Sequence, residues 1–180
     1  MAVQLDDLAG AEDCAPCFRL DGQVALVTGA ARGLGRAIAL ALAHAGADVA
    51  LGLRDVATAG DVASGVERIG RQALPLQMDV TDVGQIEPAI AATVERFSRL
   101  DILVNNVGGG PDAPAEDVTV QDFDLTVALN VKSAFFASQS AARVMMERGS
   151  GRIVNLGSQA GLVALPGEAV WNETLGVSFV

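Results

Sequence analysis

The sequence has no tyrosine in 180 residues, one tryptophan, Trp171, and one histidine, His44. Without a phenol, any proton transfer by a tyrosine side chain is excluded. The lone His44 lies in an alanine-rich helical pattern, away from other ligand types, and reads as a helix-surface residue. Cys14 and Cys17 form a single Cys-x-x-Cys with no second ligand pair, so a structural zinc site is not expected, and the two thiols are taken as reduced. Basic residues are few: 12 Lys and Arg stand against 22 Asp and Glu, a net charge of −10. Such a surface repels nucleic acid and anionic membranes, so neither is an expected partner, and any bound phosphate must be held locally. No apolar run approaches the roughly 18 residues that a membrane span needs. The acidic start "MAVQLDDLAG" has no basic and apolar leader pattern, so a cytoplasmic location is the default.

What is present is apolar, at 51% of residues, enough for one domain with a sizeable core. Residues 1–17 show no sustained periodicity and are expected to be a disordered tail; the domain is expected over 18–180. "VALVT" reads as a buried strand, "GAARGLG" as a turn, and "RAIALALAHAG" as a helix closed by Gly46. The unit recurs. "DVALGL" (48–53) is a strand, and 55–70 a helix weakened by Gly60 and Gly65. "ALPLQM" (73–78) is a third strand. Asp82 then caps a helix, with Gln85 at capping-box spacing and Pro88 expected to kink or delay it. "DILVNN" (101–106) is a fourth strand, 120–148 one long helix, and "RIVNL" (152–156) a fifth strand. Strands alternating with long helices imply a parallel sheet covered on both faces.

"TGAARGLG", Thr28 to Gly35, joins the first strand to the first helix. Its glycines let the backbone turn tightly and approach a pyrophosphate, while the helix start offers unpaired N–H groups and a positive dipole end. Gly29, Gly33 and Gly35 are the residues chosen for this role. The spacing differs from the general dinucleotide fingerprint. An acidic residue about 20 positions on would bind a ribose 2′-hydroxyl and favour NAD. Leu53 stands at that position, Arg54 follows, and Arg32 lies inside the turn. Two guanidiniums suit a 2′-phosphate, so NADP(H) is favoured over NAD(H), although Asp55 argues the other way.

In order, "TGAARGLG", "MDVTD", "ILVNNVGG", "ALNVKSAFFASQ" and "GRIVNLGSQAG" make the sequence resemble the short-chain dehydrogenase/reductase family from about residue 18 to 170. The resemblance implies an α/β, Rossmann-like doubly wound sheet with five strands in the order 3-2-1-4-5. It also implies NAD(P)-dependent oxidation of a secondary alcohol or reduction of a ketone, with sugar, polyol or 3-oxoacyl substrates. Carried over, Asp79 meets the adenine amino group with Val80 beside it, and Asn105, Asn106 and Gly108 lie along the adenosine half. Thr28 and Leu34 complete the cofactor set. Val107 stands where the motif usually has alanine. Asn130 corresponds to the residue that holds a water in a proton relay, and Ser158 to the serine that hydrogen-bonds the substrate oxygen.

The family's catalytic pair, Tyr-x-x-x-Lys, falls on Trp171 and Leu175, and no Tyr, His or Lys follows Ser158. The tyrosine is the general acid/base and the lysine lowers its pKa. The chain is also expected to lack the family's last two strands, leaving the fifth as an open apolar edge where a partner, including a second copy in a homo-oligomer, could pair. Three readings follow: a reductase with an unusual site, a non-catalytic nucleotide-binding or regulatory domain, or a truncated or frame-altered product of a family gene. Loss of agreement after Val170 favours the last. With Trp171 and Leu175 in place of the pair, impaired catalysis is expected.

Overall fold

"VALVT" is an almost wholly apolar run with β-branched Val24, Val27 and Thr28, and such side chains pack well on a pleated surface covered on both sides. It forms β1 (Val24–Thr28), all five residues buried. The computed structural model describes residues 18–163, 169, 170 and 174. The other strands are β2 (Asp48–Leu53), β3 (Ala73–Gln77), β4 (Ile102–Asn105) and β5 (Arg152–Asn155). All pair in parallel in the order β3-β2-β1-β4-β5. β1 is therefore central, and the chain reverses its winding there.

The helices are α1 (Gly33–Ala45), α2 (Gly60–Arg68), α3 (Val83–Phe97), α4 (Val120–Val127) and α5 (Ser133–Arg148). Strand residues alternate between two cores. Val27, Leu51, Leu53 and Val104 meet Ala39 and Ala43 of α1 and Val62 and Val66 of α2 on one face. Leu26, Ala50 and Leu103 meet Ile86 and Ile90 of α3 and Ala137 and Ala141 of α5 on the other. Each fully buried leucine contributes about 1.5–3 kcal/mol. At the lower end of the sheet, Asp101 Oδ2 accepts the Val24 N–H at 2.8 Å and pairs with Arg99 at 2.6 Å. Burial works against this carboxylate, but Arg99 and the Val24 N–H outweigh it and hold its pKa below 3.8.

Several expectations change. The segment 55–70 is a 3₁₀ turn, Val56–Ala59, followed by the shorter α2, because Asp55 caps the turn through Oδ1 to Ala57 N–H. The long helix over 120–148 is instead α4, a wide π turn at Ala128–Lys132, and α5. Pro88 does not delay α3, which begins at Val83 directly after Asp82 and runs on through it. Asp82 does cap α3, but Gln85 completes no reciprocal box. Its Oε1 accepts the Asp79 N–H at 2.9 Å, and its Nε2 donates to Asp82 Oδ2 at 3.0 Å. Coverage of the sheet on both faces fails at β5, where all four residues are exposed, and among the described residues β5 pairs only with β4. No helix among the described residues is long and apolar enough to cross a membrane. The 1–17 segment, with Cys14 and Cys17, lies outside the described residues. His44 is exposed in the last turn of α1, as its setting suggested.

Candidate functional site

In a parallel sheet every strand delivers its loop at the same edge, and ligands collect where the winding reverses. Here that point lies between β1 and β4. Beyond Thr28 the backbone turns at Gly29 with φ +66°, and its N–H and that of Ala30 donate to the Gly52 carbonyl at 2.8 and 3.3 Å. The chain turns again at Gly33, φ +54°. Arg32 is the extended residue preceding α1 and supplies no side-chain cap, and the first turn of α1 carries no acidic residue. The N–H groups there are left for an anion, favoured by the helix dipole. Leu34 is exposed at this helix start. Gly35 is buried, and a Cβ on it would overlap the Gly29 carbonyl and lie 2.6 Å from Asn106 Nδ2. This glycine allows α1 to close on the turn.

The turn is fastened to the β4 loop. Thr28 Oγ1 accepts the N–H groups of Asn106 at 3.0 Å and Val107 at 3.2 Å, and donates to the Val104 carbonyl at 3.4 Å. Asn106 Nδ2 donates to the Thr28 carbonyl at 2.8 Å. Thr28 is thus buried and turned inward, holding the loop through its hydroxyl. Asn105 is buried and donates to Ser138 Oγ at 3.0 Å and to Asn155 Oδ1 at 2.8 Å, joining β4, β5 and α5. Gly108 is exposed beyond them. Val107, the bulkier residue of its motif, presses on the turn: its Cγ2 lies 2.8 Å from where a Cβ on Gly29 would sit.

At the end of β2, Leu53 turns into the core, so the exposed position there belongs to Arg54. Among the described residues the guanidiniums of Arg32 and Arg54 have no ion-pair or side-chain hydrogen-bond partner, whereas Arg36, one turn into α1, is paired with Asp61 at 2.9 Å. The Asp55 carboxylate is engaged by Ala57 N–H at 3.0 Å. Asp79 Oδ1 accepts the N–H and hydroxyl of Thr81 at 3.0 and 2.8 Å, so this carboxylate opens a turn, and Val80 is buried behind it. One polar residue with structural purpose here went unnoticed in the sequence, Gln77 beside Arg54, and Gln85, singled out only for capping, also holds the Asp79 N–H. A glutamine ending the apolar run "ALPLQ" was the available signal for Gln77.

Beyond β4, Asn130 sits buried within the π turn. A π turn leaves carbonyls without their usual partners. Here the Ser133 N–H reaches back to Ala128 and the Ser133 hydroxyl takes the Leu129 carbonyl. The Asn130 side chain accepts the Gly109 N–H at 2.8 Å and donates to Thr174 Oγ1 at 2.8 Å. Among the described residues that leaves one N–H and one lone pair without a partner. Thr174 is buried and donates to the Val170 carbonyl at 3.0 Å, a partner no sequence pattern announced. Ser158 is exposed just beyond β5, and its Oγ accepts the Ala160 N–H at 3.2 Å, which leaves the hydroxyl proton to donate. Trp171 and Leu175 lie outside the described residues. Among the described residues no group of His, Cys, Asp or Glu could hold a metal ion.

Known proteins are similar to this chain in sequence and in fold. The short chain dehydrogenase family model matches residues 23–172. The D-threitol dehydrogenase of Mycolicibacterium smegmatis is 43% identical over 160 residues, 82% of this chain and 57% of that protein. The gluconate 5-dehydrogenase of Gluconobacter oxydans is 40% identical over 159 residues, 88% of this chain and 62% of that protein. Among solved structures, a 7α-hydroxysteroid dehydrogenase complexed with NADH and 7-oxo glycochenodeoxycholic acid superposes with a TM-score of 0.85 at 32% identity. The match covers 89% of this chain and 62% of that one. An NAD+-bound xylitol dehydrogenase gives 0.83 at 33% identity, covering 87% and 60%. The chain therefore spans about three fifths of the length of these relatives. With a doubly wound sheet, the glycine turn at its centre and this span of similarity, the chain belongs to the short-chain dehydrogenase family of oxidoreductases, which bind nicotinamide dinucleotides.

Proposed function

We propose that the chain binds NADP(H) at the turn between β1 and α1, in the setting of an oxidoreductase for a secondary alcohol or its ketone, and that its own acid/base step is disabled. The observation that carries the nucleotide reading is the pair of guanidiniums, Arg32 and Arg54, that no described residue engages, at the sheet edge where Gly29 and Ala30 bond Gly52. Asp55, the carboxylate that would argue for NAD, is already engaged by a backbone N–H. The residues fit the group: open N–H groups at α1, left-handed backbone at Gly29 and Gly33 where no side chain intrudes, and two cations for a phosphate. When bound, the nicotinamide supplies the hydride acceptor or donor. Gly29, Gly33 and Gly35 admit the pyrophosphate, Arg32 and Arg54 hold a 2′-phosphate, and Asp79, Asn105, Asn106 and Gly108 line the adenosine side.

In the same reading Ser158 donates to the substrate oxygen and Asn130 keeps a water. The family's Tyr-x-x-x-Lys positions hold Trp171 and Leu175, an N–H donor that cannot accept and a side chain that does neither. This also supports the alternative role of a nucleotide-binding or regulatory domain without turnover. Sugars, polyols and 3-oxoacyl compounds are the proposed substrate classes, in keeping with D-threitol and gluconate dehydrogenases among the relatives.

Calorimetric titration with NADPH and NADH tests the nucleotide choice. The chain is expected to prefer NADPH, and Arg54→Met to weaken NADPH about tenfold, the value of one charge-assisted contact, while leaving NADH within about twofold. Equal affinity for the two nucleotides, or an Arg54→Met chain with unchanged preference, would remove the NADP(H) reading.

A further inference from the structure

We infer that Gln77, at the end of β3, is a positioning residue for nucleotide choice, acting through Arg54; this rests on the NADP(H) reading above. Gln77 is paired with Leu53 in the β2–β3 register, and the ladder continues one residue further, Met78 N–H donating to the Leu53 carbonyl at 2.7 Å. From that place its side chain reaches over the end of β2. Nε2 donates to the Arg54 carbonyl at 2.7 Å, and Oε1 accepts the Val56 N–H at 3.3 Å. One amide thus takes a backbone acceptor and a backbone donor on either side of Asp55.

The rest of the segment is fixed from the other direction. Asp55 Oδ1 accepts the Ala57 N–H at 3.0 Å, and the Asp55 carbonyl accepts the Thr58 hydroxyl at 2.6 Å and its N–H at 3.1 Å. Together these bonds hold residues 54–58 as an ordered platform. Within it the Arg54 guanidinium is the charged group that no described residue engages, and Asp55 is kept turned to its own turn. A long arginine side chain loses less freedom on binding when its backbone is already held, which is how preorganisation raises affinity without a new contact. Gln77 touches neither phosphate nor ribose in this account. It sets where Arg54 starts from.

The test is a double-mutant cycle on the full chain, with NADPH and NADH affinities measured by calorimetry and thermal midpoints recorded beside them. Gln77→Met is close in size but cannot bridge the two backbone groups. It is expected to weaken NADPH about three- to tenfold with NADH little changed. Gln77→Glu keeps the acceptor for Val56 and loses the donor to Arg54, and is expected to weaken NADPH as well, which covers a Gln77→Met chain that fails to fold. In the Arg54→Met background, Gln77→Met should have no further effect on NADPH. A merely structural glutamine would lower the midpoint and weaken both nucleotides alike, or would act equally with Arg54 absent; either result overturns the inference. If Arg54→Met weakens NADPH and the Gln77 variants do not, the inference alone fails. If Arg54→Met itself changes nothing, the NADP(H) reading fails and takes Gln77 with it.

Discussion

Gly35→Ala is expected to abolish saturable NADPH binding and to destabilise the fold by about 3 kcal/mol, the upper part of the range for overpacking. The obstacle is specific. A Cβ on Gly35 would meet the carbonyl of Gly29 and the amide of Asn106, and the latter is already spent on the Thr28 carbonyl. Neither atom is the end of a free side chain, so relief requires α1 to retreat from the turn it opens. In a domain of this size each kcal/mol moves the midpoint by about 2–4 °C, so a drop of roughly 6–12 °C is anticipated in a thermal scan. For stability alone, Gly33→Ala is the control, because a Cβ there meets nothing within 4 Å and only the positive φ resists it. Its cost is about 1–2 kcal/mol. A Gly35→Ala chain that melts and binds like the parent would show that α1 does not approach the turn as closely as described.

Turnover by the chain is expected at background with NADPH and a panel of ketones, and with NADP+ and a panel of polyols. Proton transfer from a positioned group is typically worth 10²–10⁴ in rate. That corresponds to about 3–5 kcal/mol of barrier. Neither Trp171 nor Leu175 can return it, and no Tyr, His or Lys follows Ser158. Groups that act as a unit fail together, so Ser158→Ala should subtract little from a rate already lacking its partner. D-threitol dehydrogenase, assayed with threitol, is a suitable positive control. Clear turnover by this chain, lost on Ser158→Ala, would show that the acid/base step has been supplied by other means.

Much of the scaffold was legible because its signals are local. Five apolar runs separated by helical periods become five parallel strands, and the alternation of Leu26 with Val27 and of Ala50 with Leu51 divides their side chains between two cores. Gly29 and Gly33 announced left-handed backbone, which the turn uses. What was not legible depends on partners far along the chain. Periodicity over 120–148 cannot show one wide turn, since a π turn displaces the pattern by a single residue while Asn130 remains at an inward position. Counting along the chain put Leu53 at the position of a ribose-binding acid, but spacing does not show where a side chain goes, and strand alternation directs this one into the core. Gln85 matched a capping box and instead bonded Asp79, three residues before the cap. The 28–107 and 130–174 hydrogen bonds join residues whose proximity only the folded sheet provides.

The Thr28 hydroxyl has a thermodynamic consequence. It joins the end of the central strand to the first two residues beyond β4, so the turn cannot open without breaking bonds that tie the two halves of the sheet together. A nucleotide bound there is then linked to the whole folding equilibrium rather than to one loop. By mass action, NADPH at a hundredfold excess over its Kd adds about 2.7 kcal/mol to the unfolding free energy. The expected reading is a midpoint that climbs with nucleotide concentration in a single cooperative transition, so that a chain without turnover would still have its folded population set by the nucleotide around it.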